Sequence, residues 1–207
     1  NLPEYQGIRL ADILSRETGA RVILDNDANC FALGEAKRGA GQGARSVIGL
    51  TLGTGIGGGF VIEGKLYRGA GFALEPGHTT VDPDGPPCAC GNRGCLESFI
   101  GERAFCERFG HASARDAFEA RDREAWDFYG HWLGIGLANL INILDPEVVV
   151  LGGGITGAFE MFQRPMMAAI ESRTVRWERR KTRLARSELG DEAALWGGYI
   201  LAENPGD

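Results

Sequence analysis

SVIGLTLGTGIGGGFVIEGKLYRG, residues 46–69, decides how the chain folds. It opens as an apolar strand, SVIGLTLG (46–53), and enters a glycine loop that fits the G-x-G-x-x-G spacing of a dinucleotide site. A dinucleotide fingerprint needs a helix after that loop. The chain instead continues as GGFVIEGKLYRG (58–69), an apolar run turning at Glu63-Gly64-Lys65, so the pattern predicts a β-hairpin. Backbone N–H groups at such a turn can cradle phosphate oxygens, and Thr54 adds a hydroxyl. A plain tight turn is the alternative.

Outward from the hairpin, strands are predicted at RVILD (21–25), PEVVVLGG (146–153) and TRLARS (182–187). Helices are expected over 8–18, stopped by Gly19, from Asn26 to about 38, over 97–109, from about 122 to 144, where ITGAFEMFQRPMMAAIESRT leads, and over 191–202. Alternating strands and helices argue for an α/β layered fold with a mixed sheet. Net charge is −6, which argues against nucleic acid as the main partner. The longest apolar run, WLGIGLANLINIL (132–144), is too short to span a bilayer. No charged-then-apolar leader opens the residues read, so a cytoplasmic, reducing setting is expected, which turns the five cysteines towards metal or burial.

HTTVDPDGPPCACGNRGCLE (78–97) gathers His78, Cys88, Cys90 and Cys95. One imidazole and three thiolates make a closed, tetrahedral structural zinc set. DPDGPP is loop-forming and can fold His78 back, while Gly91 and Gly94 permit the turn between thiols. Four reduced, unliganded side chains are the bland alternative. Cys30 and Cys106 are expected to be buried apolar groups.

A second loop, GGGITG (152–157), has a strand before it and a helix after it, but the nearest strand-end acid, Glu188, lies too far on for a Rossmann site. One glycine hairpin and one strand-to-helix glycine turn fit a nucleoside triphosphate held at both ends. LDNDAN (24–29) sets Asn26 and Asp27 at a strand-to-helix junction, where a helix dipole keeps an aspartate ionised. Asp27 can then serve as a general base, or either residue can simply cap the helix. Glu75 and Glu97 flank the metal loop, and paired carboxylates suit a polyhydroxyl ligand. The basic run from Arg173 to Arg186 reads as a solvated helix face or subunit edge.

LGTGIGGG (52–59), LEPGH (74–78), CACGNRGCLE (88–97), DNDAN (25–29) and VVVLGGGIT (148–156) together resemble the ROK family of bacterial sugar kinases and sugar-responsive repressors, over nearly the whole chain. The resemblance implies a ribonuclease-H-like domain of the actin/hexokinase superfamily with a zinc-stapled loop. It implies an ATP-dependent kinase of a hexose or N-acetylated amino sugar, with Asp27 as catalytic base. Asn26, Glu75, His78 and Glu97 become sugar contacts, and His78 also ligates the zinc with the three cysteines. Gly53, Thr54 and Gly55 match the second phosphate loop, Gly153 and Gly154 the adenosine motif, and Mg²⁺ accompanies ATP. Homodimers are common in such a family.

Two departures stand out. In LEPGH, glycine and an aliphatic residue usually flank the glutamate. Family kinases also carry an Asp-Gly-Gly-Thr phosphate loop in a smaller N-terminal lobe, and no such motif occurs in residues 1–207. Residues 1–190 are therefore expected to form the larger lobe, and 191–207 a C-terminal helix that packs on the smaller one. The rival function is the effector-sensing module of a ROK transcriptional repressor.

Overall fold

The computed structural model describes residues 7–204. Its centre is a five-stranded mixed sheet in the order β3-β2-β1-β4-β5. β1 (Ser46–Leu52), β2 (Ile56–Ile62) and β3 (Lys65–Leu66) form an antiparallel meander, while β4 (Val148–Gly152) and β5 (Arg183–Arg186) join β1 in parallel. The glycine loop at 53–55 is the tip of a hairpin, as its sequence pattern predicts. The next turn places both Glu63 (φ 51°) and Gly64 (φ 75°) in the left-handed region, the pairing that matches the twist of adjoining strands.

Side chains alternate along β1 and divide the core in two. Ile48, Leu50 and Leu52 face α3 (Leu96–Ile100), α4 (Glu102–Phe109), α6 (Arg123–Leu144) and α7 (Phe159–Arg173), where Phe105, Trp126, Tyr129 and Phe162 are fully buried. Val47, with Val61, Val148 and Val150, faces α2 (Asp27–Arg38) and α8 (Ala193–Glu203). The remaining helices are α1 (Leu10–Thr18), none of whose residues is buried, and the short α5 (Ala114–Glu119).

The glycines of IGGGFVI have a packing reason. A Cβ on Gly49, Gly57 or Gly59 would stand 2.7 to 2.9 Å from the Cβ atoms of Ala28 or Ala32, so these three residues let α2 lie directly on the sheet. Gly58 points to the opposite face and receives the Pro76 ring. Helix pairs use the same device. A Cβ on Gly34 would stand 2.0 Å from the Ala193 carbonyl oxygen, and one on Gly197 would stand 1.8 Å from that of Cys30. The backbones of α2 and α8 are therefore in contact.

Several expectations need correction. RVILD (21–25) is extended but joins no ladder among the described residues; its Val22 N–H donates to the Ser15 hydroxyl and Leu24 is 53 % exposed. Apolar, β-branched composition favours a strand, yet a neighbouring strand must supply the hydrogen bonds. The helix expected over 97–109 breaks at Gly101, whose extended ψ of 139° separates α3 from α4. Helix α5 has no counterpart among the expected elements. Cys106 is buried, but Cys30 is only half-buried. Arg180, within the basic run, is no solvated charge: it donates to the Ile141 carbonyl and to Asp145, capping the C-terminal end of α6. No described helix is long and apolar enough to cross a membrane.

Close approach of α2 and α8 yields a paired test. Gly197→Ala should destabilise the protein by about 1–3 kcal/mol through overpacking against Cys30. Gly198→Ala, which meets nothing within 4 Å, should be neutral or stabilising by up to about 1 kcal/mol, as expected for glycine replaced inside a helix. Urea denaturation of both variants checks this; equal effects would contradict backbone contact between the helices.

Candidate active site and metal centre

DNDAN builds the mouth of a cleft. Asn26 is the N-cap of α2, its Oδ1 accepting from the N–H groups of Ala28 (2.8 Å) and Asn29 (3.2 Å). Asp27 is the first helical residue and is exposed, with one carboxylate oxygen 2.9 Å from the Ala28 N–H. The unfulfilled N–H groups and dipole of a twelve-residue helix favour negative charge there. Asp25, the first residue of DNDAN and given no role by the sequence reading, organises this turn. Its carboxylate accepts from the Asn26 N–H (2.8 Å), Asn29 Nδ2 (2.7 Å) and Arg68 Nε (2.8 Å).

Across the cleft lies the loop from Arg68 to His78. Leu74 holds φ 63°, a left-handed conformation that costs a side-chain-bearing residue roughly 1–2 kcal/mol. Pro76 then opens a single 3₁₀ turn, Pro76–His78, so Glu75 is set between a strained residue and a rigid one. Asn26, Asn29, Gly57, Gly58, Phe72, Ala73 and Glu75 line a cavity of about 170 Å³. Two predicted polyol contacts, Asn26 and Glu75, thus share one small, polar-edged cleft.

Asp27, His78 and Glu97 are not among the residues that line this cavity; Glu97 reaches the hairpin instead. Glu97 Oε2 accepts the Ile56 N–H at 2.9 Å and lies where a Cβ on Gly55 or Gly77 would approach it. Gly77, between Pro76 and His78, sits against the Ile56 carbonyl. The glutamate side chain therefore bridges the tip of the hairpin to the start of α3.

The metal loop brings His78, Cys88, Cys90 and Cys95 together, with all four ligand atoms within 4.8 Å of one another. Cys88 Sγ is 3.7 Å from His78 Nδ1, and Cys90 Sγ is 3.7 Å from Cys95 Sγ. A tetrahedral ion with metal–sulfur bonds near 2.3 Å has ligand–ligand edges of about 3.5–3.8 Å, so the spacing fits. Burial, then the neighbouring thiols Cys88 and Cys90, push the Cys95 thiol up to about 12, whereas hydrogen bonding from the Asn92 backbone lowers Cys90. A cation would let all of these sulfurs exist as thiolates. The knuckle is tied by Cys88 N–H to Asn92 O (2.8 Å), Gly94 N–H to Pro86 O (2.7 Å) and Leu96 N–H to Thr79 O (3.0 Å).

The two glycine loops meet in a second cavity of about 380 Å³ lined by Gly53, Gly154, Ile155, Ala158, Glu102, Arg115, Phe118 and Trp126 among others. Thr54 is exposed at the hairpin tip. Gly153 has φ 87° and lies so close to the Leu52 carbonyl that only glycine fits. One wall comes from α5, whose Ser113 cap accepts from the Asp116 N–H and whose Ala114 N–H reaches Glu102. Ser-x-x-Asp at 113–116 is the cap signature that could have revealed it.

Comparison with known proteins agrees with this geometry. The family model described as "ROK family" matches residues 1–204. A glucokinase of Halalkalibacterium halodurans is 36 % identical over 96 % of this chain and 68 % of its own length. An N-acetyl-D-glucosamine kinase of Photobacterium profundum is 34 % identical over 97 % and 73 %. A xylose repressor of Bacillus subtilis is 31 % identical over 93 % of this chain but 53 % of its own length. The crystal structure of a ROK glucokinase from Streptomyces griseus in complex with glucose and AMPPNP superposes with a TM-score of 0.82, at 32 % identity, covering 94 % of this chain and 72 % of that one. The chain thus spans roughly half to three quarters of these relatives.

Gly94 tests the metal loop directly. A Cβ there would fall 1.5 Å from the Asp82 carbonyl oxygen, at a backbone φ of 63°. Gly94→Ala should weaken metal binding by about tenfold or more. It should also leave the thiols of Cys88, Cys90 and Cys95 open to a thiol reagent that wild-type, metal-loaded protein resists. Unchanged reactivity would contradict the packing described.

Proposed function

The chain belongs to the ROK family, and on that premise we propose that it is the larger lobe of an ATP-dependent kinase that phosphorylates a hydroxyl of a hexose or N-acetylated amino sugar. Glucose, N-acetylglucosamine and N-acetylmannosamine are the first candidates. One observation carries this reading: the Asn26–Glu75 cleft and the cavity lined by both glycine loops are built on the same glycine hairpin. An acceptor and a polyphosphate donor held there would approach each other over its tip. The kinases named among the relatives, and the glucose and AMPPNP complex of one of them, support it.

In this reading Asp27, at the N-terminus of α2, takes the proton of the attacking sugar hydroxyl. Asn26, Glu75, His78 and Glu97 orient the remaining hydroxyls. Gly53, Thr54 and Gly55 receive phosphate oxygens on backbone N–H groups, and Gly153 and Gly154 approach the adenosine. Mg²⁺ bound with ATP supplies charge neutralisation on the phosphates. The four-ligand site of His78, Cys88, Cys90 and Cys95 suits zinc, and with every position filled by protein it serves as a staple. Asp-Gly-Gly-Thr, absent from residues 1–207, belongs to the smaller lobe in this proposal. The outward face of α8, with Leu195 73 % and Tyr199 48 % exposed, is where that lobe is expected to pack. A cytoplasmic homodimer completes the reading.

The xylose repressor similarity keeps a sugar-sensing module as the second reading. The presence of both Asp27 and the Gly53-Thr54-Gly55 loop favours the kinase, because a sensor needs neither a base nor a phosphate loop.

Two results are expected. In the intact protein Asp27→Asn should lower kcat by roughly 10²–10⁴-fold, the range for a general base, and leave sugar affinity within about threefold. Coupled ADP release over a sugar panel, with sugar titration calorimetry, measures both; activity within a few-fold of wild type removes Asp27 from the role. Metal analysis should find about one zinc per chain, as a closed tetrahedral site requires. Chelation should lower the thermal midpoint and weaken sugar binding before nucleotide binding. Zinc-free protein of unchanged stability would end the staple reading.

A further inference from the structure

Asp25 and Arg68 are 43 residues apart and stand at the roots of the two walls of the cleft. Asp25 immediately precedes Asn26 and Asp27, and Arg68 begins the loop that ends at Glu75. Their side chains meet at 2.8 Å, with that of Asp25 only 9 % exposed and that of Arg68 36 %. The Asp25 carboxylate is otherwise committed to its own wall, through the Asn26 N–H and Asn29 Nδ2. Arg68 is likewise committed to the other. Its carbonyl oxygen accepts the Gly71 N–H at 2.8 Å and the Ala73 N–H at 3.3 Å, which folds the glycine-rich stretch RGAGFAL back on itself.

Leu74 packs against the core, but the loop carries little regular structure of its own. Gly69 and Gly71 both hold positive φ, Phe72 is 88 % exposed, and Leu74 is strained. A segment of that kind does not hold a carboxylate at a fixed distance from another element by itself. A charge-assisted bond to a mostly buried partner is stronger than a surface ion pair and less screened by salt. From these contacts we propose that Asp25 and Arg68 form a clamp across the base of the cleft, positioning residues that set Glu75 against Asn26 and Asp27 and so fix the fit of the sugar. This inference rests on the kinase reading for its substrate, though not for the clamp itself.

Two measurements test it on the intact protein. Hydrogen exchange should show residues 69–75 protected in wild type and exchanging at least about tenfold faster in Asp25→Asn, although that substitution lies on the opposite wall. Kinetically, Arg68→Met and Asp25→Asn should each raise the KM for sugar about tenfold, as expected for loss of a charge-assisted hydrogen bond. The KM for ATP should stay within twofold. The double variant should be little worse than either single one, and Arg68→Lys should recover part of the loss. Equal loss for sugar and ATP, or additive effects in the double variant, would overturn a positioning role and leave a merely structural contact. Unchanged exchange over 69–75 in Asp25→Asn would overturn the clamp. If wild type shows the protection but takes no sugar, the kinase reading fails alone, and the exchange result still decides the clamp.

Discussion

The approach of α2 to the sheet is the constraint on which the site depends. Gly49, Gly57 and Gly59 remove three side chains from one face, so the Ala28–Ala32 side of the helix rests on strand backbone. Any larger residue would force the helix outward by a side-chain layer, and interiors packed at crystal density do not absorb such a shift. With the helix at that depth, its N-terminus opens beside Gly57 and Gly58, and Asn26 reaches the same cavity as Glu75. The intervening Gly58 serves the other face, where Pro76 fills the space a side chain would take. One three-glycine run therefore seats the helix bearing Asp27 and the turn bearing Glu75 on opposite sides of a single strand.

Such a helix must also be fixed along its axis. At its far end Glu35, fully buried, accepts from the Ala40 N–H (2.8 Å), the Ser187 hydroxyl (2.5 Å) and the Leu189 N–H (3.1 Å). A buried carboxyl group is tolerated when donors surround it in this way. These bonds tie α2 to the turn that leads into α8, and the Gly34 and Gly197 contacts lock the two helices side by side. The front of α2 is held by Asp25 and the rear by Glu35, leaving Asp27 exposed at the start of a helix anchored at both ends. In the proposed reaction, catalysis by positioning would need this more than any unusual reactivity.

Local sequence discloses those features whose cause is local. The hairpin is legible because FVIEGKLY after the glycines has strand composition and a Glu-Gly turn. The metal set is legible because His78 and three cysteines in a loop are few, soft and closely spaced. RVILD misleads because its own residues suit a strand, while whether a ladder partner lies beside it, as none does among the described residues, is decided elsewhere. Asp25 and Arg68 cannot be paired from sequence, since nothing in either neighbourhood points to the other. Helix α5 is six residues long, too short for a clear apolar period, and its importance as a cavity wall exists only once α4 has turned at Gly101.

The His78–Cys95 loop and the hairpin are also tied together, and Glu97 makes the tie. It leaves Cys95 by two residues, stands in the first turn of α3, and takes the Ile56 N–H just where β2 begins. On the other side of the hairpin tip, the Gly53 carbonyl accepts the Glu102 N–H, so the start of α4 is bound to the same loop. The helix break at Gly101 is what allows both bonds, because a continuous helix would carry Glu102 away from the tip. A metal held by His78, Cys88, Cys90 and Cys95 would consequently steady more than that loop: through Glu97 and Gly101 it would reach the edge of the second cavity, where Gly53 and Glu102 stand together.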